Sequence, residues 1–337
     1  MWDGKAIPVA TANDVARRAG VSRSAVSRTF TPGCSVSAET RRKVMAAAEA
    51  LNYHVNMLAR GLSKEESRPI CILGGKLAQP YQASLLDQLT QQLQQAQRAV
   101  MVINTAGGAV CANQALKQTL NYRAAATVVL SGAPEASLVE SCLQSGQQVI
   151  LVNRLGEFAG ADHIGIDYST TMNDAFFMLD RAKCQHIALI SSAVQSPSIV
   201  VREQEFLQAA QQGGHRCQVH YCDSTSYNGG AAMARQLLAG RDRPDGVFCV
   251  TDLVACGFID VARYEFGLTI ARDICIVGFD DIEQAGWGGY QLTTFAQPLQ
   301  DMARAINQLL LPDRVSQPPL KQLFKAPPVW RKTVRAG

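Results

Sequence analysis

From residue 70 to residue 277 short continuous apolar runs alternate with amphipathic stretches, and few architectures accept such a pattern. The runs fall at 70–73, 100–103, 126–130, 149–152, 187–190, 247–250 and 274–277. Between them lie helical patterns near 84–97, 113–121, 135–145, 171–182, 203–212, 229–239 and 253–266. A strand that is apolar along its whole length is buried on both faces, which is the habit of parallel sheets covered by crossover helices. The predicted fold class of this body is therefore α/β, built on doubly wound parallel sheets. So many elements exceed one sheet of that kind and suit two side by side. In open parallel sheets a ligand sits beyond the carboxyl ends of the strands.

The residues that follow the runs are informative. The run at 149–152 ends in Asn153-Arg154, that at 247–250 in Thr251-Asp252, and that at 274–277 in Gly278-Phe279-Asp280-Asp281. Arg202 stands in the helical pattern that follows the run at 187–190. Polar and ionic side chains gathered at one end of a sheet pair line a cleft suited to a polyol or small polar metabolite. Asp252 also fits a helix N-cap, and Asp280-Asp281 fit a cap for the next segment.

Charge separates a head from this body. Residues 1–66 hold ten Lys/Arg against six Asp/Glu, while the other 271 residues carry 22 of each sign. A basic head on a neutral body points to a polyanionic partner for the head, against the plainer reading of a solvated terminus. Ten cysteines are scattered without a C-x-x-C pair, which excludes a zinc finger and argues for reduced thiols. The N-terminus opens no apolar targeting segment, and a cytoplasmic protein is expected.

Within the head, residues 13–30 read as two short helices. Asn13 is a candidate N-cap, Val15, Ala16 and Ala19 form one apolar stripe, and Gly20 ends the first helix. Ser22 caps the second, whose inward positions are Ala25, Val26 and Thr29. This leaves Arg23, Ser24, Ser27 and Arg28 outward, where a helix lying in the major groove reaches base edges. A third helix runs from Ser37 to Leu51, with Arg41, Arg42 and Lys43 crowding a start where cations oppose the helix dipole.

Residues 11–63 carry D-V-A-x-x-A-G-V-S, A-V-S-R, V-S-x-x-T-R, L-N-Y and A-R-x-L in order. This ordered set closely resembles the DNA-binding head of the lactose-repressor (LacI/GalR) family of bacterial transcriptional regulators. The resemblance puts Arg23 and Ser24 at the positions that choose the operator sequence and makes Arg28 the common base-contacting arginine. It assigns Ser22, Ser27, Thr40 and Asn56 to phosphates. Residues 56–63 match the family's hinge, where Asn56, Ala59 and Leu62 meet DNA, Leu62 as the minor-groove wedge. Val55 departs from the family's usual proline.

The body resembles the same family's core, itself similar to periplasmic sugar-binding proteins. The matching stretches are Gln79-Pro80-Tyr81-Gln82 for N-P-F-F, V-x-L-V-N-R at 149–154, Arg202, R-P-D-G-V-F-C-V-T-D at 243–252, V-G-F-D-D at 277–281 and L-T-T-F-x-Q-P-L at 292–299. By that likeness Tyr81, Gln82, Asn153, Arg154, Arg202, Asp252 and Asp280 are the effector-binding candidates. Gln82 replaces a usual aromatic and Thr251 a usual Asn. The implied organisation is a helix-turn-helix domain at 11–56, a hinge at 57–68 and a two-lobe core at 69–337. Lobe 1 takes about 69–164 and 298–322, and lobe 2 about 165–297 and 323–335, with a last strand at 323–330 returning to lobe 2.

The expected function is a ligand-responsive, sequence-specific transcriptional repressor, a homodimer on a pseudo-palindromic operator whose affinity is set by a sugar-like effector. Inducer and corepressor action both remain open. A sugar kinase or hydrolase is disfavoured, because G-x-x-x-x-G-K-[ST] and G-x-S-x-G are both missing. A transport-type binding protein fails on the basic head. Neither cofactor, metal nor membrane contact is expected.

Overall fold

The structure, a computed structural model of the 337-residue chain, describes residues 10–31, 33–55, 68–105, 109–130, 134–154, 158–311, 314 and 317–336. It divides into two compact units, residues 1–68 and 69–337. The DNA-contact candidates Asn56, Ala59 and Leu62 lie outside the described residues.

The first unit holds α1 (Ala12–Ala19), α2 (Arg23–Thr29) and α3 (Ala38–Ala50). The cap of α1 is Thr11 and not the expected Asn13. The Thr11 side chain accepts from the Asp14 amide at 3.3 Å while the Asp14 carboxylate accepts from the Thr11 amide at 3.0 Å. This reciprocal pair satisfies two otherwise free donors, which Asn13 inside the first turn would not do. Gly20 closes the helix at φ 65°, a left-handed conformation that glycine adopts without penalty. Ser22 and Ser37 cap α2 and α3 by accepting from Ala25 and Thr40 amides. Val15, Val26 and Val44 are fully buried where the helices cross, beside small Ala16, Ala47 and Ala48. Three short helices around so few side chains form the helix-turn-helix fold.

The second unit opens with β1 (Ile70–Gly74), α4 (Pro80–Gln95), β2 (Val100–Asn104), α5 (Ala109–Asn121), β3 (Ala126–Val129), α6 (Ala136–Gln144), β4 (Gln148–Val152) and β5 (Asp162–Ile166). It continues with α7 (Tyr168–Arg181), β6 (Ile187–Ser192), α8 (Pro197–Gln212), β7 (Gln218–Cys222), α9 (Tyr227–Ala239), β8 (Gly246–Cys249), α10 (Asp252–Tyr264) and β9 (Cys275–Val277). The chain ends with β10 (Thr294–Phe295), α11 (Leu299–Leu309), β11 (Lys321–Phe324) and β12 (Pro328–Val329). The strands make a six-stranded sheet, β11-β5-β4-β3-β1-β2, and a four-stranded sheet, β7-β6-β8-β9. Every pairing within these two sheets is parallel. The α/β class with two parallel sheets therefore stands.

The chain passes between the sheets after β5, after β10 and after β11. The strand expected over 323–330 is two strands. Lys321–Phe324 pairs with β5 in the first sheet, and Pro328–Val329 pairs antiparallel with β10 in a separate two-stranded ribbon. Pro327 and Pro328 interrupt the run, since proline has no N–H for a ladder. β5 and β7 escaped the apolar-run reading because Asp162, His163 and Gly165 break one, and Gln218 and His220 the other.

The glutamine-rich helix α4 buries Leu85, Leu89 and Leu93, joined by half-buried Leu86, against Met302, Ala303 and Ile306 of α11. Its apolar face thus belongs to the interior of its own lobe. At the α9–α10 crossing the backbones touch: a Cβ on Gly257 would stand 1.9 Å from the Tyr227 carbonyl oxygen. Leu89→Ala should destabilise the core by about 2–5 kcal/mol through lost burial and the cavity left behind. Urea unfolding at unchanged m-value measures this, and a midpoint equal to wild type would contradict the packing of α4 on α11.

Candidate functional site: a polar cleft between two sheets and an exposed basic helix

The carboxyl ends of both sheets bound a cavity of about 110 Å³. Tyr81 and Gln82 reach it from the first turn of α4, Asn153 from the end of β4, Arg202 from α8, and Asp280 from the turn after β9. Five of the seven expected effector residues are thus brought together.

A relay of hydrogen bonds crosses the cleft. Gln297 Nε2 donates to Asp280 Oδ1 at 2.7 Å, and Asn153 Nδ2 donates to Gln297 Oε1 at 3.2 Å and to the Tyr81 hydroxyl at 2.7 Å. An ionised Asp280 only accepts, so it turns the amide N of Gln297 toward itself and thereby sets the Asn153 amide as well. Asn153 Oδ1 is left buried without a partner among the described residues, as are Gln82 Oε1 and Arg202 Nε. Unmet buried groups of this kind cost free energy until a ligand or water satisfies them.

Arg202 is held as a rigid plate. Its guanidinium lies 3.6 Å from the ring centroid of Phe279 and 5.1 Å from that of Tyr168, two rings on adjacent sides of the cation whose centroids are 5.9 Å apart. It donates to the Val250 carbonyl and to the Tyr168 hydroxyl. Burial pushes the Asp280 carboxyl up to about 6, against the opposing pull of the Arg202 charge and the Gln297 bond. Burial also raises the Tyr81 hydroxyl well above the ordinary phenol value.

Two expected effector residues are not in the cleft. Arg154 is buried but does not line the cavity. Asn153 faces the cavity from just past the end of β4, where its φ of 53° breaks the extended backbone, and the next side chain is buried away from the cavity. Burial lowers the Arg154 guanidinium to about 10. Asp252 is fully buried behind the cleft wall. Thr251 is the N-cap of α10, and Asp252 follows it as the first helical residue. The Asp252 carboxylate accepts from the Ile282 amide at 3.0 Å and from the Thr294 hydroxyl at 2.6 Å. It braces the turn at 278–282, where Asp280 and Asp281 take φ of 122° and 53°. Arg331 steadies the same turn through a 2.7 Å ion pair with Asp281. A Cβ on Gly278 would lie 2.1 Å from Asp252 Oδ1, so only glycine lets the turn approach so closely. Burial and the nearby Asp280 charge raise the Asp252 carboxyl to about 7, offset in part by its two bonds.

Gln79, Ser196, Ser198, Thr225 and Gln297 also form the cleft wall, and none of them is among the candidates the sequence offered. Ser196 and Ser198 open α8, the helix that carries Arg202, and that helix start was their available signal. Thr225 follows β7, whose polar residues hid the strand.

In the head, Arg23, Ser24, Ser27 and Arg28 are exposed on one helix, and Val26 and Thr29 are buried beneath. Ser22 and Thr40 are also at the surface, Thr40 half-buried, each tied to a helix start: Ser22 Oγ lies 2.8 Å from Ser24 Oγ, and Ser37 Oγ donates to Thr40 Oγ1 at 2.8 Å. Arg41 Nη1 donates to the Thr29 carbonyl at 3.1 Å, so this arginine fastens α3 to the end of α2. Arg42 is exposed at the start of α3. Among the described residues no helix is long and apolar enough to cross a membrane, and no cluster of side chains is arranged to hold a metal ion.

Comparison with known proteins agrees with this geometry. Residues 11–56 match the family model "Bacterial regulatory proteins, lacI family", and residues 178–334 match "Periplasmic binding protein-like domain". The ribose operon repressor of Bacillus subtilis (strain 168) is 30% identical over 97% of this chain and 99% of its own. In fold, the chain superposes on the lac repressor dimer bound to operator and the anti-inducer ONPF, with TM-score 0.87 at 23% identity over 96% of this chain and 99% of that one. A LacI family transcriptional regulator from Enterococcus faecium with bound ribose matches with TM-score 0.70 at 19% identity, over 80% of this chain and 99% of that one. An exposed basic helix on a helix-turn-helix, a polar cleft between parallel sheets and a full-length relative all agree: the chain belongs to the lacI family of bacterial regulatory proteins and is a DNA-binding transcriptional regulator modulated by a small ligand.

Proposed function

We propose that this regulator is a homodimeric repressor, acting in the cytoplasm on a pseudo-palindromic operator, and that its effector is a small neutral sugar, with D-ribose the first candidate. The observation that carries the effector class is the set of unmet acceptors, Gln82 Oε1 and Asn153 Oδ1, beside the Asp280 carboxylate. Acceptors call for a ligand rich in O–H donors. A phosphate or carboxylate brings mostly acceptors, answers only the Arg202 Nε donor among the three unmet groups of the cleft, and would set a second negative charge against Asp280. A cavity of about 110 Å³ is small beside the roughly 300–1,000 Å³ of drug-sized sites, which supports a single sugar ring over a disaccharide. The ribose operon repressor similarity and the ribose-bound neighbour support the same choice. Among the described residues of the cleft no nucleophile is hydrogen-bonded to a base, and a binding role without catalysis fits the relatives named as repressors.

Within the site, Tyr81, Gln82, Asn153, Arg202 and Asp280 hold the sugar. Arg154 and Asp252 are supports for the β4 end and the 278–282 turn. In the head, Arg23, Ser24 and Arg28 read bases, while Ser22, Ser27, Thr40 and Arg42 meet phosphates. Ligand that prefers one state of the core shifts operator affinity by its differential binding, with a coupling of about 1–3 kcal/mol.

D-Ribose at a hundred times its dissociation constant should stabilise the protein by about 2.7 kcal/mol, read as a rise in melting temperature. Asp280→Asn should erase that rise while leaving operator binding intact. Asp252→Ala should instead lower the melting temperature of the ligand-free protein, because it leaves two buried donors unmet at about 1–3 kcal/mol each. A full ribose response in Asp280→Asn would remove the effector assignment.

Arg23→Ala should change which operator sequence is preferred, at about 1–3 kcal/mol for the base it reads. Arg42→Ala should weaken all duplexes alike and reduce the slope of log K against log salt by about 1. Fluorescence anisotropy against a randomised duplex pool separates the two, and equal effects on every duplex would cancel these roles.

The raised carboxyls set a sign for pH. Asp280 at about 6 and Asp252 at about 7 bind more protons folded than unfolded, so their contribution to stability is present below the ordinary carboxylate range and is lost as pH rises through 6 to 7. Ribose that donates to ionised Asp280 should bind more tightly as pH rises through about 6, by at most about tenfold per pH unit for one proton. Calorimetric titration between pH 5 and 8 checks this, and a flat affinity would disconnect Asp280 from the ligand.

A further inference from the structure

Gln79 stands at the N-cap of α4, immediately before Pro80, yet its side chain makes no capping bond. A short side chain there, such as Asn, turns back to the free amides of the first helical turn. The extra methylene of glutamine lets the amide reach elsewhere. Gln79 Nε2 donates to the Thr225 backbone carbonyl at 3.2 Å and stands 3.5 Å from the Thr225 hydroxyl. The two residues are 146 positions apart, one after β1 in the first sheet and the other after β7 in the second.

The topology says where this bond lies. The three chain crossings leave from β5, β10 and β11, and the sheet orders put β5 and β11 at one end of the first sheet and β9 at one end of the second. Bridges from Val277 to Thr293 and from Asp280 to Ala296 hold the β10 crossing beside β9. Gln297 bridges Asn153 and Asp280 on that side. β7 is the opposite edge of its sheet, and β1 lies next to the opposite edge of the first. The Gln79–Thr225 bond therefore spans the cleft away from the crossings, where no covalent connection keeps the sheets together.

We propose that Gln79 is a latch on the open side of the cleft, which sets effector affinity and release by stabilising the closed arrangement of the two lobes through Thr225. The reading of the cleft as the effector site underlies this role. A bond made only when the lobes are closed raises the closed fraction, and apparent affinity scales with that fraction. Loss of one neutral hydrogen bond of ordinary strength should weaken binding by about 3- to 10-fold. Thr225 contributes mainly its backbone carbonyl, so the donor is the part of the latch that a substitution removes.

The test uses the full-length protein and two variants. Gln79→Glu keeps the length of the side chain and removes the donor; Gln79→Asn shortens it and offers α4 a cap. Hydrogen–deuterium exchange without ligand should be faster at 222–228 in both variants by about 3-fold or more. Melting temperatures should stay within about 2 °C of wild type, because the change opens a cleft and not a core. Calorimetry with D-ribose as probe should show the 3- to 10-fold weakening, and the ribose concentration for half-maximal change in operator binding should move by the same factor. Unchanged exchange in both variants overturns the latch, whatever happens to ribose affinity, since weakened binding alone would make Gln79 a direct ligand contact. Faster exchange in a protein whose wild type ignores ribose supports the latch and rejects ribose as the effector.

Discussion

A carboxylate held out of water at the end of β9 is the constraint around which the cleft is arranged. Asp280 is costly to bury as an anion, and its surroundings are organised to reduce that cost. The Arg202 guanidinium is held against the Phe279 ring with Tyr168 beside it, and the Gln297 amide donates at 2.7 Å. Behind them Asp252, itself buried, ties the Ile282 amide and the Thr294 hydroxyl, so that the turn carrying Asp280 keeps a backbone conformation rare for a non-glycine residue. Arg331, from the last crossing of the chain, closes the arrangement through Asp281. Five segments distant in sequence thus cooperate to present one acceptor to the cavity.

The same arrangement explains how a ligand could be felt beyond its contacts. The Asp280–Gln297–Asn153–Tyr81 relay joins the two sheets through side chains whose donor and acceptor directions depend on one another. Under the proposed effector role, a sugar hydroxyl entering this relay would satisfy groups on both sheets at once and so bind a particular relation between them more tightly than others. That differential affinity would be the physical content of allostery. The interior supports it, since one apolar cluster runs from Ile70 and Leu89 of the first sheet's layer to Phe206 and Phe248 of the second's.

Much of this was legible in the chain itself. The apolar runs marked seven strands, six of them because a strand buried on both faces has few polar positions to spare, and β2 although it is a half-exposed edge strand. The strand-end rule then singled out Asn153 and Asp280. Where β5 and β7 carry Asp162, His163, Gln218 and His220, the same rule had nothing to read, and the Thr225 loop after β7 was lost with it. Arg154 and Asp252 show the other limit. Each is one residue from a cleft-lining neighbour, and adjacency in sequence does not say which of two successive side chains faces the cleft.

The linear order of residues therefore determined the helix-turn-helix, its outward basic face and the parallel α/β core, because caps, periodicity and apolar runs act over a few residues. Tertiary structure alone decided that Asp252 braces a turn, that Arg41 fastens two helices, that the last run divides into β11 and β12, and that Gln79 meets Thr225 across 146 residues. Each of those outcomes depends on which distant backbone group lies within about 3 Å of a side chain, and hydrogen bonds are decided at that range.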